Sequence, residues 1–125
     1  MAKVLIVDDE PELLQALTVR LSASGYACVT ARNGVEGLAK AREEHPDLIV
    51  ADLLMPEMDG YEMIRQLKAE PDTAKIPVIV LTAMPGKRAD SLPAARVLPK
   101  PFNSKILLET MRELIGAGTS GGPHG

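Results

Sequence analysis

The sequence predicts a single α/β domain, a doubly wound five-stranded parallel sheet in a (βα)5 three-layer sandwich. Three observations lead there. Short apolar runs alternate with amphipathic stretches, the order expected when helices cross between parallel strands. The runs are apolar at consecutive positions, so the sheet is covered on both faces. The chain has 125 residues, 46% hydrophobic and 25% charged, which suits one globular unit. A domain of this length buries roughly two-thirds of its unfolded surface, enough for a real core.

The elements follow in order. "KVLIV" is the first strand. "PELLQALTVRLSAS" is a helix with Leu13, Leu14, Leu17 and Leu21 at helical spacing, Pro11 in its first turn and Gly25 as its stop. "YACVTA" is the second strand, with Cys28 as buried packing. "NGVEGLAKAREEH" is a helix begun by Asn33 and ended by Pro46, with His45 as a charge partner for its C-terminus. "DLIVAD" is the third strand. "DGYEMIRQLKAE" is a helix in which Asp59 and Glu62 resemble a capping box, and Gly60 is free to take positive φ in the turn before it. "IPVIVLTA" is the fourth strand and "ARVLP" a weak fifth. "NSKILLETMRELIG" is the last helix, with Ile106, Leu107, Met111, Leu114 and Ile115 on its apolar side. The domain spans 1–116, and the Gly-rich segment 117–125 is a disordered tail or the start of a linker.

Composition removes several function classes. Aromatic residues are Tyr26, Tyr61 and Phe102 alone, too few for base stacking, and the net charge of −3 does not suit a phosphate-backbone binder. One cysteine allows no internal disulfide and fits a reducing compartment. The N-terminal stretch "MAKVLIVDD" reads as neither signal peptide nor membrane span. These points together predict a cytoplasmic protein.

The carboxyl ends of the strands carry the chemistry. In such sheets ligands bind there. The first strand ends in Asp8, Asp9 and Glu10, the third in Asp52, the fourth in Thr82 and Ala83, and the fifth in Lys100. Clustered carboxylates repel one another unless a cation or protons neutralise them. Hard oxygen donors suit Mg²⁺, with Mn²⁺ as an alternative, while Lys100, the Thr82 hydroxyl and the Ala83 amide can hold an anion. That kit suits phosphoryl transfer, with one carboxylate as nucleophile.

The motifs "VDDEP", "PDLIVADLLMPEMDG", "VIVLTA" and "LPKPF" resemble a response-regulator receiver domain of two-component signalling, over Lys3 to about Ile115. The resemblance implies a flavodoxin-like fold with Asp52 as phosphoacceptor. It implies Asp9 as direct metal ligand, Asp8 holding a metal water, and Leu54 offering its backbone carbonyl to Mg²⁺. Thr82 and Lys100 would bind the phosphoryl group, Lys100 pairing with Asp52 beforehand, and Pro101 would follow a cis peptide bond. The implied function is a phosphoacceptor switch that takes its phosphoryl group from a sensor histidine kinase or phosphotransfer protein. It catalyses only its own phosphorylation and dephosphorylation, and it acts on a downstream protein or a C-terminal output domain. No direct contact with nucleic acid or membrane is implied, and a monomer is expected.

Two departures from the family pattern stand out. The switch aromatic is replaced by Val97, and the interval from Thr82 to Lys100 is short by about one helical turn. With Pro85, Gly86 and Pro93 in it, the fourth helix is expected to be short or irregular. Leu54 and Met84, the positions that tune dephosphorylation, are apolar and predict a long-lived phosphoprotein. Rival readings are a pseudo-receiver that ignores phosphate, a phosphatase of the haloacid dehalogenase type and a flavin binder. The complete acidic site opposes the first, the residues after "DDE" oppose the second, and an acidic first loop opposes the third.

Overall fold

Each predicted strand forms, within a residue or two of its predicted bounds. The computed structural model describes residues 2–53, 60–83, 96–100 and 103–116. The elements are β1 (Lys3–Val7), α1 (Pro11–Ala23), β2 (Ala27–Ala31), α2 (Gly34–Glu44), β3 (Leu48–Asp52), α3 (Gly60–Ala69), β4 (Val78–Thr82), β5 (Arg96–Pro99) and α4 (Ser104–Ile115). The expected short fourth helix, the Asp59 capping partner, Pro101 and the segment 117–125 lie outside the described residues. The element labelled α4 is therefore the last predicted helix.

All neighbouring strands are parallel, in the order β2-β1-β3-β4-β5. The chain steps outward from β1 to β2 and then returns past β1 to β3. The winding reverses between β1 and β3, and their carboxyl ends flank the crevice where such sheets bind ligands. This is the flavodoxin-like architecture.

Strand alternation sends each central strand to both cores. Leu5, Val7, Ile49, Ala51, Val78 and Val80 pack on Leu38, Met63, Ile64 and Leu67 of α2 and α3. Val4, Ile6, Leu48, Val50, Ile79 and Leu81 pack on Leu14, Leu17, Leu21, Leu107 and Met111 of α1 and α4. Each such side chain contributes about 1.5–3 kcal/mol when fully buried. The acids at the strand ends thus sit on a rigid frame.

Helix ends follow local chemistry. Pro11 begins α1. The side chain of Asn33 accepts from the Glu36 amide at 2.8 Å, and that of Asn103 from the Lys105 amide at 2.8 Å. His45 ends α2 through its backbone: it is left-handed, with φ 48°, and its N–H donates to the Ala41 carbonyl.

Three expectations need correction. Ile106 is 49% exposed, whereas Leu107 and Met111 are fully buried. Ile106 precedes Leu107 by about 100° around the helix, outside the stripe that meets the sheet. Cys28 is half-buried because β2 is an edge strand. Gly60 does not take positive φ; among the described residues only Gly25 and Gly116 are such glycines. Gly60 is required by close approach instead. A Cβ there would strike the Asp52 carbonyl oxygen and lie 2.7 Å from the Leu53 Cα.

Candidate functional site

Register brings the acids together. Val7 pairs with Ala51 across β1 and β3, so Asp8 and Asp52 follow side by side at the crevice. The Asp8 amide donates to the Ala31 carbonyl at 3.0 Å, extending the ladder by one bond and fixing the residue. Asp8, Asp52 and Thr82 are buried, with relative exposures of 1%, 6% and 1%. Ala83 follows Thr82 and is exposed, as are Asp9 and Glu10.

Lys100 reaches the pocket from beyond β5. Its N–H donates to the Thr82 carbonyl at 2.7 Å, which fixes its backbone beside the end of β4. Its Nζ lies 3.1 Å from Asp8 Oδ2, 3.4 Å from Asp52 Oδ2 and 3.5 Å from Glu10 Oε1. The pairing expected with Asp52 is therefore shared, and Asp8 is the nearest partner. The other Asp8 oxygen accepts the Glu10 amide at 2.9 Å.

One oxygen from each of Asp8, Asp9, Glu10 and Asp52 can be chosen so that all lie within 4.8 Å of one another. Lys100 Nζ lies within 3.5 Å of three of these carboxylates, and Asp9 completes the cluster. Burial raises the pKa of Asp8 above the usual carboxylate range, even though the Glu10 amide and Lys100 pull the other way. For Lys100 burial acts against the charge, but the Asp8 hydrogen bond and the charges of Asp8 and Asp52 outweigh it and raise its pKa. One lysine does not by itself balance four clustered carboxylates. An all-oxygen donor set with excess negative charge fits a hard divalent cation.

Other sequence candidates fall elsewhere. Val97 in β5 is half-buried and packs on the α2–α3 side of the sheet. Leu54 and Met84 lie outside the described residues. Glu10 received no separate role from the sequence, yet it joins both the acid cluster and the lysine. The only signal for it was a third acid in "DDE".

Comparison with known proteins supplies the context. Residues 4–112 match the response regulator receiver domain family. The chain is 37% identical to the protein PilH of Pseudomonas aeruginosa, over 92% of this chain and 98% of PilH. It also matches the probable transcriptional regulator ycf27 of Cyanophora paradoxa at 42% identity, over 90% of this chain but 48% of that protein. The fold superposes on the signal receiver domain of a signal transduction histidine kinase from Syntrophus aciditrophicus with a TM-score of 0.86 and 36% identity, covering 92% of this chain and 90% of that one. The receiver domain of sensor histidine kinase PA1611 from Pseudomonas aeruginosa, solved with a magnesium ion coordinated in its active site cleft, gives a TM-score of 0.85 at 27% identity, covering 93% of this chain and 98% of that one. Among the described residues no helix is long and apolar enough to cross a membrane.

Proposed function

This chain belongs to the response regulator receiver domain family of two-component signalling, and we propose that it is a phosphoacceptor switch with Asp52 as its nucleophile. One observation carries the reading. Asp52 is buried beside Asp8 at the winding reversal, and Lys100 bridges the two carboxylates. The histidine kinase or phosphotransfer protein that such domains meet would supply phosphohistidine as donor. An Asp52 oxygen attacks phosphorus, the O–P bond forms as the P–N bond breaks, and the imidazole leaves. Lys100 then donates to a phosphoryl oxygen, joined by the Thr82 hydroxyl and the Ala83 amide.

Asp8, Asp9, Asp52 and the Leu54 carbonyl would hold Mg²⁺, or Mn²⁺ in its place. Bound there, such an ion would offset repulsion between the anionic nucleophile and the incoming phosphate. Leu54 and Met84 offer no hydrogen bond to an in-line water, so the phosphoprotein is long-lived. Leu54→Asn with Met84→Glu should speed its hydrolysis, and an unchanged lifetime would refute that part. Val97 has no ring to bury behind the hydroxyl residue, so output is read by a partner at the loops around Asp52 or on another face. The functional unit is 1–116, a monomer acting in the cytoplasm.

Intact-mass spectrometry after incubation with acetyl phosphate and Mg²⁺ tests the proposal. Wild type gains one phosphoryl group and Asp52→Asn gains none, because an amide is not an anionic nucleophile. Equal labelling of the two refutes the assignment.

A further inference from the structure

Glu10 occupies the N-cap position of α1, but its side chain makes no capping hydrogen bond. It turns instead toward the pocket and places Oε1 3.5 Å from Lys100 Nζ. The direction is built in. The Glu10 amide is held by Asp8 Oδ1 at 2.9 Å, and its carbonyl accepts the Leu14 amide at 3.0 Å. Asp8 Oδ2 holds the same lysine. Asp8, Glu10 and Lys100 thus close a ring through both oxygens of Asp8.

The three carboxylates around Lys100 are not equivalent. The side chains of Asp8 and Asp52 are 2% and 8% exposed, whereas that of Glu10 is 64% exposed and is its most distant partner. A phosphoryl group on Asp52 brings charged oxygens that need Lys100. Releasing Asp8 would take a cationic partner from a buried carboxylate, which costs more than losing an exposed pair. Releasing Glu10 returns an exposed carboxylate to water, at the small cost typical of surface pairs.

We propose that Glu10 is a positioning residue: an internal anion that holds Lys100 before phosphorylation and is displaced by the phosphoryl group. It therefore opposes the phosphorylated state. The inference rests on the phosphoacceptor reading and adds a residue that sets how readily the pocket accepts a phosphoryl group.

Beryllium trifluoride, an anionic phosphoryl mimic, is titrated at saturating Mg²⁺ into wild type, Glu10→Gln and Glu10→Asp, with Mg²⁺ affinity measured separately. Glu10→Gln should bind the mimic about threefold to fivefold more tightly, the range an exposed ion pair supports. Glu10→Asp keeps the charge but is one methylene too short to reach Nζ, so it should behave like Glu10→Gln. Mg²⁺ affinity should fall by less than about tenfold in both, the effect of a lost neighbouring charge and not of a lost ligand. Wild-type behaviour of Glu10→Asp would show that general charge acts rather than the contact, and would overturn the proposal. So would weaker mimic binding by Glu10→Gln, or a loss of Mg²⁺ affinity beyond about tenfold, either of which makes Glu10 a metal ligand. No mimic binding by wild type would overturn the phosphoacceptor reading along with it. Normal wild-type binding with no shift in the variants would overturn this inference alone.

Discussion

Gly60→Ala tests how the fold positions the nucleophile. The new methyl group would meet the Asp52 carbonyl oxygen, the Leu53 Cα at 2.7 Å and Leu53 Cδ2 at 3.1 Å. The first two are backbone atoms and cannot rotate away. The Leu53 Cα must retreat by roughly 0.7 Å or more to reach ordinary carbon contact. It would carry Asp52 with it, since the Gly60 amide also donates to the Leu53 carbonyl at 2.9 Å. Overpacking of this kind costs about 1–3 kcal/mol. The loss of glycine's unfolded-state freedom returns about 0.5–1 kcal/mol. The net loss is up to about 2.5 kcal/mol, or up to roughly 10 °C in melting temperature for a domain of this size. Catalysis should suffer further. A misplacement of about 1 Å costs on the order of a hundredfold in rate, so a shift of roughly 0.7 Å suggests about 25-fold slower phosphorylation. The assays are thermal unfolding by circular dichroism and the rate of phosphoryl uptake from acetyl phosphate. An alanine variant with the wild-type melting temperature and uptake rate would refute the close-approach argument.

Three other outcomes are expected. Mg²⁺ should stabilise the fold by about 2.7 kcal/mol at a hundredfold excess over its dissociation constant, because the unfolded chain lacks the site; an unchanged melting temperature in saturating Mg²⁺ would argue against a metal site. Met111→Ala, at a fully buried position in α4, should cost about 2–5 kcal/mol, whereas Ile106→Ala, at a half-exposed one, should stay within roughly 0.5 kcal/mol; comparable losses in urea unfolding would contradict the orientation of α4. The pKa of Lys100 is raised in the fold, so its stabilising contribution is complete below the unfolded value near 10.5 and fades as pH rises through the folded value. The advantage of wild type over Lys100→Met should therefore shrink in alkaline solution, and a constant advantage between about pH 8 and pH 12 would refute the charge pairing.

The strands and their order of appearance were legible in the chain because continuous apolar runs and helical spacing depend on near neighbours alone. The acid cluster was legible for the same reason: "DDE" and Asp52 stand at the ends of apolar runs. Local pattern could not supply contacts between distant segments. That Lys100 lies nearer to Asp8 than to Asp52 depends on the order of β1, β3, β4 and β5 and on the hydrogen bond from the Lys100 amide to Thr82. The need for glycine at 60 comes from the path of the Asp52–Leu53 backbone beneath it, and composition cannot tell that from a demand for positive φ. Ile106 shows the same limit on a helix, where spacing defines an apolar stripe but the packing of α4 on the sheet sets its margin. Glu10 is the sharpest case. In sequence it is one more acid before a proline; in the fold, a backbone bond to Asp8 turns it onto a lysine ninety residues away.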